Sequence, residues 1–427
     1  MMNRKTLIAT FGFLSLFVLS WFIPSSKIQV LSILADAQAL QEVSPKIFFP
    51  KKSLSKEKLV NAQMKFGFKL FSTLAKQNSE QNIAVSPVSI ALALSMLYNG
   101  ASGATQQEMS SVLGIKGVNL NAFNHANKTL EKSLETNDYR GQLAIANSLW
   151  TRQGFSFRYQ FLKTNQEYYQ AQITNLDFKS SESAGIINRW VKDKTQGKIP
   201  QIVEQISTED VLFLVNAIYF KGVWQVEFEP HLTEQQPFYL SNNQVIQFPL
   251  MSREGKYRYL ETSEFQAISL PYTGERFSLE IFLPQPDKEI KDLVSQLTVG
   301  QWKKWMGQFR EQQGNLKLPR FSLSYEVDME KALRSLGISS MFEQSSANFS
   351  QLTSRKVYVN RMRHKTLVEI NERGTQSAAS SSIRARVTSV FPLEDQFTMI
   401  VNRPFLCTIR DHKTDAILFI GIVKKPN

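Results

Sequence analysis

The stretch Val368–Pro392 reads VEINERGTQSAASSSIRARVTSVFP. It opens as a half-buried β-strand, with apolar Val368 and Ile370 alternating with polar Glu369 and Asn371. It then turns to Gly, Thr, Gln, Ser and Ala, followed by a segment carrying Arg384 and Arg386. Such a segment has little to bury, and a long structureless loop inside a compact domain is either functional or disordered. The two-residue period nevertheless persists. Thr375, Ser377, Ala379, Ser381, Ile383, Ala385 and Val387 share one parity and are all small or apolar. The other parity, from Gln376 to Arg386, grows more polar along the chain. No proline interrupts this run, so every N–H is free to join a ladder. Gly374 supplies a permissive pivot directly after the strand. The stretch therefore reads as a loop able to become a strand, slim enough on one face to enter a crowded sheet.

The flanking sequence supplies that sheet. VLFLVNAIYFKGVW, Val211 to Trp224, is a long apolar run with the composition of a buried strand. Lys356 to Asn371 reads as one long strand, and LKLPRFSLSYEVD, Leu316 to Asp328, as another. Further strands are expected in QAISLPY and FSLEIFLP, which a turn at Thr273–Gly274 separates, and in FTMIV, PFLCTIRD and AILFIGIVKKP. Helical periodicity marks the segment after Glu57, where Val60, Met64, Phe68, Phe71 and Ala75 share a face. It also marks Arg158 to Gln170, Ser181 to Asp193, Lys291 to Phe309, and Asp328 to Leu336 before Gly337. Ser86-Pro87 reads as a helix start, because proline's missing N–H would be unpaired in a first turn. The pattern is mixed α+β, without repeats and without a clean linker after about residue 55.

Composition narrows the chemistry. With 427 residues, 42% of them hydrophobic, the chain has ample material for a large core. The net charge of +13 suits a solvated surface, or a polyanion or membrane-surface partner, but no nucleic-acid-reading motif accompanies it. Cys407 is the one cysteine, so no intrachain disulfide forms, and a buried small hydrophobe is its expected role. His125, His231, His364 and His412 lie far apart, without metal-ligand spacing, so no metal is expected. No GxSxG elbow, Walker loop or GxGxxG is present, which leaves hydrolase and nucleotide-binding readings without a motif. The basic start MMNRK is followed by Leu7 to Ile23, 17 residues without a charge. Residues 1–37 are expected to be a signal peptide or a membrane anchor, residues 38–55 a linker, and 56–427 one domain. Export to a secreted or periplasmic location follows from that reading.

Four motifs now converge. NERGTQSAASSS, Asn371 to Ser382, resembles the hinge of the serpins. NIAVSPVSIALALSMLYNGASGAT, NAIYFKGVWQVEF and NRPFLCTIRDHKTDAILFIGIVKKP resemble the strand–helix, central-strand and C-terminal signatures of the same family. The resemblance implies a serpin-like α+β fold with three β-sheets, about nine helices and an exposed reactive-centre loop at about 372–392. It implies a monomeric suicide-substrate inhibitor of serine, or else cysteine, proteases, which inserts its cleaved loop into the central sheet and needs no cofactor. Glu372, Gly374, Thr375, Ser377, Ala378 and Ala379 match the hinge. Ser86, Ser89, Asn216 and His364 match the hydrogen-bonded cluster beneath the sheet strands that part, Trp224 the point of loop entry, and Arg320 a basic partner for Glu372. The family's spacing places the scissile bond at Thr388–Ser389, which suits an elastase- or subtilisin-like protease; Arg386 and Arg384 are the trypsin-like alternatives. Gln376 departs from the acidic residue common in relatives, and serines replace several alanines. A non-inhibitory carrier or chaperone is the second reading. Such members tend to hold bulky, charged or proline residues in the hinge, and Thr375 to Ser382 holds none.

Overall fold

A computed structural model describes residues 54–78, 80–135, 141–375 and 396–427. The expected leader and all but the last two residues of the expected linker lie outside the described residues, as does 376–395. Helix α1, Lys56–Gln77, starts at Ser55, whose side chain accepts the Lys58 N–H, and carries Glu57 and Lys76 at the ends that suit their charges. Its Val60, Met64, Phe68 and Phe71 stripe is buried. After the short strand β1, Ile83–Val85, Ser86 caps α2, Pro87–Tyr98, with Pro87 in the first turn. All twelve residues of α2 are buried, which explains the lack of any polar face. The α1–α2 approach is so close that a Cβ on Gly67 would lie 2.3 Å from Pro87 Cβ.

The chain continues through α3 (Gly103–Val112), α4 (Leu120–Leu134), β2 (Gly141–Arg152), α5 (Tyr159–Tyr169), β3 (Gln172–Leu176), α6 (Ser183–Lys194) and β4 (Leu212–Val223). Then come β5 (Glu234–Tyr239), β6 (Val245–Glu261), β7 (Phe265–Pro271), β8 (Phe277–Pro284), α7 (Ile290–Ser295), α8 (Val299–Gln308), β9 (Arg310–Pro319) and β10 (Phe321–Asp328). The last elements are α9 (Glu330–Leu336), β11 (Arg361–Asn371), β12 (Gly374–Thr375), β13 (Phe397–Ile400), β14 (Phe405–Asp411) and β15 (Ile417–Val423). The described residues thus hold nine α-helices, in an α+β architecture. Their strands form two connected ladders, where three sheets were expected. The 17-residue β6 pairs with β5, β9 and β7 in turn, and so joins two of the expected sheets into one ladder of nine strands.

The second ladder has the order β10-β11-β12-β4-β2-β3. In β11 burial alternates residue by residue, with Met362, His364, Thr366, Val368 and Ile370 turned inward. β4 is buried on almost every residue because α6 and residues 199–206 cover its other face, through a second apolar cluster of Ile187, Val191, Ile199, Ile202, Phe213 and Val215.

Two expected elements are divided and a third is shortened. Lys291 to Phe309 is two helices, α7 and α8, broken at Gln296–Thr298, where Thr298 becomes the cap of α8. Leu316 to Asp328 belongs to two strands in different ladders, parted at Arg320 directly after Pro319. The strand expected from Lys356 starts only at Arg361, because Asn360 is spent tying the start of β4: its side chain accepts the Val211 N–H at 2.7 Å.

Candidate functional site

The two hinge residues at the start of the small-residue run lie inside the sheet. β12 sits in a gap between β11 and β4, antiparallel to both: Gly374 faces Asn371 and Val223, and Thr375 faces Ile370 and Gly222. Beyond the gap β11 and β4 pair directly and in parallel, Arg361 to Leu367 against Phe213 to Tyr219. The sheet therefore forks at one end, and the fork is wedged by the start of the loop.

Backbone geometry makes that wedge specific. Gly374 has φ +130°, and a Cβ there would lie 2.2 Å from the Gly222 carbonyl oxygen and 2.9 Å from the Trp224 nitrogen. The turn before it is held from β4's extension, where the Trp224 N–H donates to the Arg373 carbonyl at 2.9 Å and the Phe228 N–H to the Glu372 carbonyl at 2.8 Å. The Trp224 indole donates to the Asn371 carbonyl at 2.9 Å and stacks on Tyr272 at 4.5 Å between centroids. Tyr272 completes the pocket, with its hydroxyl 2.8 Å from Thr375 Oγ1, and both residues are fully buried. The Glu372 carboxylate accepts from the Arg320 guanidinium and from the Thr233 hydroxyl at 2.8 Å. Burial acts to raise this carboxyl's pKa, but the two donors prevail and hold it below its ordinary value. The break between β9 and β10 is what aims Arg320 at the hinge.

Deeper in the sheet, Asn216 and His364 lie directly opposite each other across the β4–β11 seam, and Asn147 opposes Asn216 from β2. The Asn216 amide donates to Asn147 Oδ1 at 2.5 Å, to Ser89 Oγ at 2.5 Å and to the Ser89 carbonyl at 3.2 Å. The Ser86 N–H donates to His364 Nε2 at 3.2 Å. A backbone N–H can only donate, so the proton of the neutral ring sits on Nδ1 and is given to Asn216 Oδ1 at 2.5 Å. Complete burial pushes the His364 pKa down to about 3, so the ring is neutral throughout the physiological range. This row ties three strands to the N-terminus of α2, and any strand entering between β4 and β11 must part its His364–Asn216 bond. The segment after α6 adds two further ties to β11: Lys198 Nζ to Glu369 at 3.2 Å and Lys365 Nζ to the Gln201 carbonyl at 2.7 Å.

The structure thus brings Glu372, Gly374, Thr375, Trp224 and Arg320 into one constellation, and Ser86, Ser89, Asn216 and His364 into another. Ser377, Ala378, Ala379, Arg384, Arg386, Thr388 and Ser389 lie outside the described residues. Sequence reasoning missed Asn147, Tyr272 and Thr233; only Asn147 carried a signal, as an amide inside the largely apolar LAIANSLW. Cys407 is buried and its thiol is pushed up to about 12 by that burial, far from a nucleophile's range. His412 Nε2 does lie 2.6 Å from Ser278 Oγ, yet Ser278 is fully buried and donates to Glu280 at 2.5 Å, so no substrate reaches it. Among the described residues no group of three or more His, Cys, Asp or Glu could hold a metal ion, and no helix is long and apolar enough to cross a membrane.

Comparison with known proteins agrees with this geometry. A family model described as Serpin (serine protease inhibitor) matches residues 61–426. The leukocyte elastase inhibitor of Bos taurus is 33% identical over 387 residues, which span 87% of this chain and 100% of that protein. The native-state structure of Tengpin, a thermophilic serpin, matches with a TM-score of 0.81 at 29% identity, covering 88% of this chain and 96% of the other. Human thyroxine-binding globulin matches with a TM-score of 0.81 at 26% identity, covering 88% and 100%. The chain described here belongs to the serpins, a family of protease inhibitors.

Proposed function

We propose that this protein is a monomeric suicide-substrate inhibitor of serine proteases, with cysteine proteases as a second class of target. The loop at about 372–392 serves as bait. The protease's serine Oγ adds to the Thr388 carbonyl, the Thr388–Ser389 bond breaks, Ser389 leaves as a free amine with the transferred proton, and an ester links the two proteins. The released strand then enters the seam between β4 and β11, carrying the protease away from its point of attack before water can cleave the ester.

The observation that carries this reading is the wedge of Gly374–Thr375 in the fork of the sheet. Continuing its register antiparallel to β4 would set Ser381 between Asn216 and His364, where its hydroxyl can replace the bond that parting the strands removes. It would set Ala385 opposite Leu212, the first residue of β4. A cut at Thr388 or Arg386 leaves enough chain to cross the whole sheet, whereas a cut at Arg384 leaves it short. Odd-numbered residues from Thr375 onward would share the inward face, and all are small or apolar. Insertion exchanges one seam for two, a gain of about ten backbone hydrogen bonds at about 1 kcal/mol each. The intact loop is held at both ends, so this gain is kinetically inaccessible until the bait is cut.

The likeness to thyroxine-binding globulin supports a second reading, a carrier without inhibitory activity. The two are separated by mixing the 48.8 kDa chain with elastase and with trypsin, followed by denaturing electrophoresis. Trapping gives a band near the summed masses, strongest with elastase if Thr388 is the bait residue. Cleavage without such a band, with every protease tried, would overturn the inhibitor reading in favour of the carrier.

A further inference from the structure

At the end of the β4–β11 seam away from the hinge, two stretches without a single Asp or Glu meet, Gly141 to Gln166 and Gln344 to Val368. Phe157 bridges to Thr353, the Arg158 N–H donates to the Leu352 carbonyl at 2.8 Å, and the Thr353 hydroxyl donates to the Ser156 carbonyl at 2.8 Å. The join fixes a cluster of cations. The guanidinium carbons of Arg152 and Arg355 lie 5.9 and 5.6 Å from the centre of the Phe155 ring. Arg152 also donates to the Thr208 carbonyl at 2.9 Å, and Arg158 to the Ser350 carbonyl at 2.5 Å. Lys356 follows Arg355 and is exposed. None of these four cations pairs with a carboxylate among the described residues. Of the two acids on the adjoining segment, Asp210 is taken by Arg361 at 4.0 Å and by the Ser207 N–H at 2.9 Å, which leaves Glu209 to oppose them. Tyr159, next to Arg158, is 76% exposed.

The path of the bait ends on this pole. Thr375 faces Gly222 on β4 and Ile370 on β11. Thirteen residues further in the same register, Thr388 would stand level with Glu209 on one side and Val357 on the other, just past Leu212 and Arg361, where β4 and β11 begin. A protease tied to Thr388 by its ester is thereby set down against 207–211 and 355–357, with the four cations beside it. Arginine and tyrosine anchor protein interfaces more than most side chains, because each joins a large flat contact area to a polar tip. Arg152, Arg158 and Arg355 are already steadied by Phe155 or by backbone carbonyls, so less freedom is lost when a partner arrives.

Resting on the loop-insertion reading above, we propose that this pole is a receiving surface for the trapped protease, fitted to a protease whose facing side is acidic, and that the attraction delays escape from the trap. Escape is hydrolysis of the ester. Water adds to the Thr388 carbonyl carbon and the bond to the protease's serine Oγ breaks. One proton of the water passes to the serine and the other to solvent, and Thr388 is left as a carboxylate. That step needs the protease's own catalytic groups back in place around the ester. A protease drawn onto the pole by opposite charge has less freedom to recover them, and one repelled by the pole has more. Charges on an open surface are screened by salt, so the delay is a low-salt effect.

Release of active protease from the purified covalent complex tests the surface, because that decay does not depend on how fast the two proteins first met. Elastase is compared with the same elastase succinylated on its lysines, which turns each positive charge negative; activity on a small substrate verifies that the modified enzyme is intact. At about 0.05 M salt the complex with succinylated elastase should release protease several-fold more slowly than the complex with unmodified elastase, and the two rates should converge at about 1 M salt, where the screening length is about 3 Å. Arg355→Glu combined with Lys356→Glu should reverse the order at low salt. If that double variant fails to fold, the wild-type comparison decides alone. Equal release rates for the two elastases at low salt, or an order that the folded double variant leaves intact, overturns the surface. Equal rates together with tight binding of dextran sulfate, lost in the double variant, overturn it in favour of a sulfated polysaccharide as the occupant. No covalent complex with any protease tried overturns the inhibitor reading itself, and the surface with it.

Discussion

Replacing Thr375 with arginine is expected to abolish trapping while leaving cleavage of the bait intact. Thr375 is fully buried between β11 and β4, bonded through its hydroxyl to Tyr272. Around its neighbour Gly374 the packing is so close that a Cβ there would lie 2.2 Å from the Gly222 carbonyl oxygen, so the backbone has no room to shift. An arginine at 375 must either be buried without a partner, at a cost of several kcal/mol, or stay outside and take the loop with it. A penalty of about 3 kcal/mol on insertion alone slows that step about a hundredfold, while hydrolysis of the ester is untouched. The ratio of denaturant-stable complex to cleaved product should therefore fall about a hundredfold, and Thr375→Ser should preserve it. An undiminished yield from Thr375→Arg would show that trapping does not require residue 375 to be held in the sheet, and would overturn the insertion account.

Asn216→Ala should be the most damaging single change to the closed sheet. One amide serves Asn147, Ser89 and His364, joining β2, β4, β11 and the start of α2. Its loss leaves the His364 Nδ1–H and the Asn147 Oδ1 buried without partners, and each such group costs about 1–3 kcal/mol. Stability of the intact protein should drop by about 3 kcal/mol or more, seen as a lower denaturant midpoint with an unchanged slope. A loss below about 1 kcal/mol would mean that water or rearrangement satisfies those groups and that the row does not hold the seam.

The parts of this architecture that could be read in advance are those encoded in local period and composition. Val368 and Ile370 announced an inward face, the apolar run around Asn216 announced a covered strand, and Ser86-Pro87 announced a capped helix. The failures share a cause. Leu316 to Asp328 has an unbroken strand-like composition, and only the competition of two ladders for its two halves divides it at Arg320. Lys291 to Phe309 keeps a helical period on both sides of Gln296–Thr298, so only the caps mark the break. Tyr272 and Thr233 reach the hinge because β7 and the segment after β4 fold against it, a juxtaposition across more than a hundred residues that no local pattern records. The whole site depends on such long-range pairings, and its members became legible through resemblance to a family rather than through periodicity.

All of this rests on the intact chain being the less stable arrangement of its own strands. The direct measurement is the melting temperature of the protein before and after a single cut within 386–389, made by a protease at catalytic concentration and verified by mass spectrometry. A gain of about ten ladder hydrogen bonds predicts that the cut protein melts at least about 10 °C higher than the intact one. Equal melting temperatures would contradict the account.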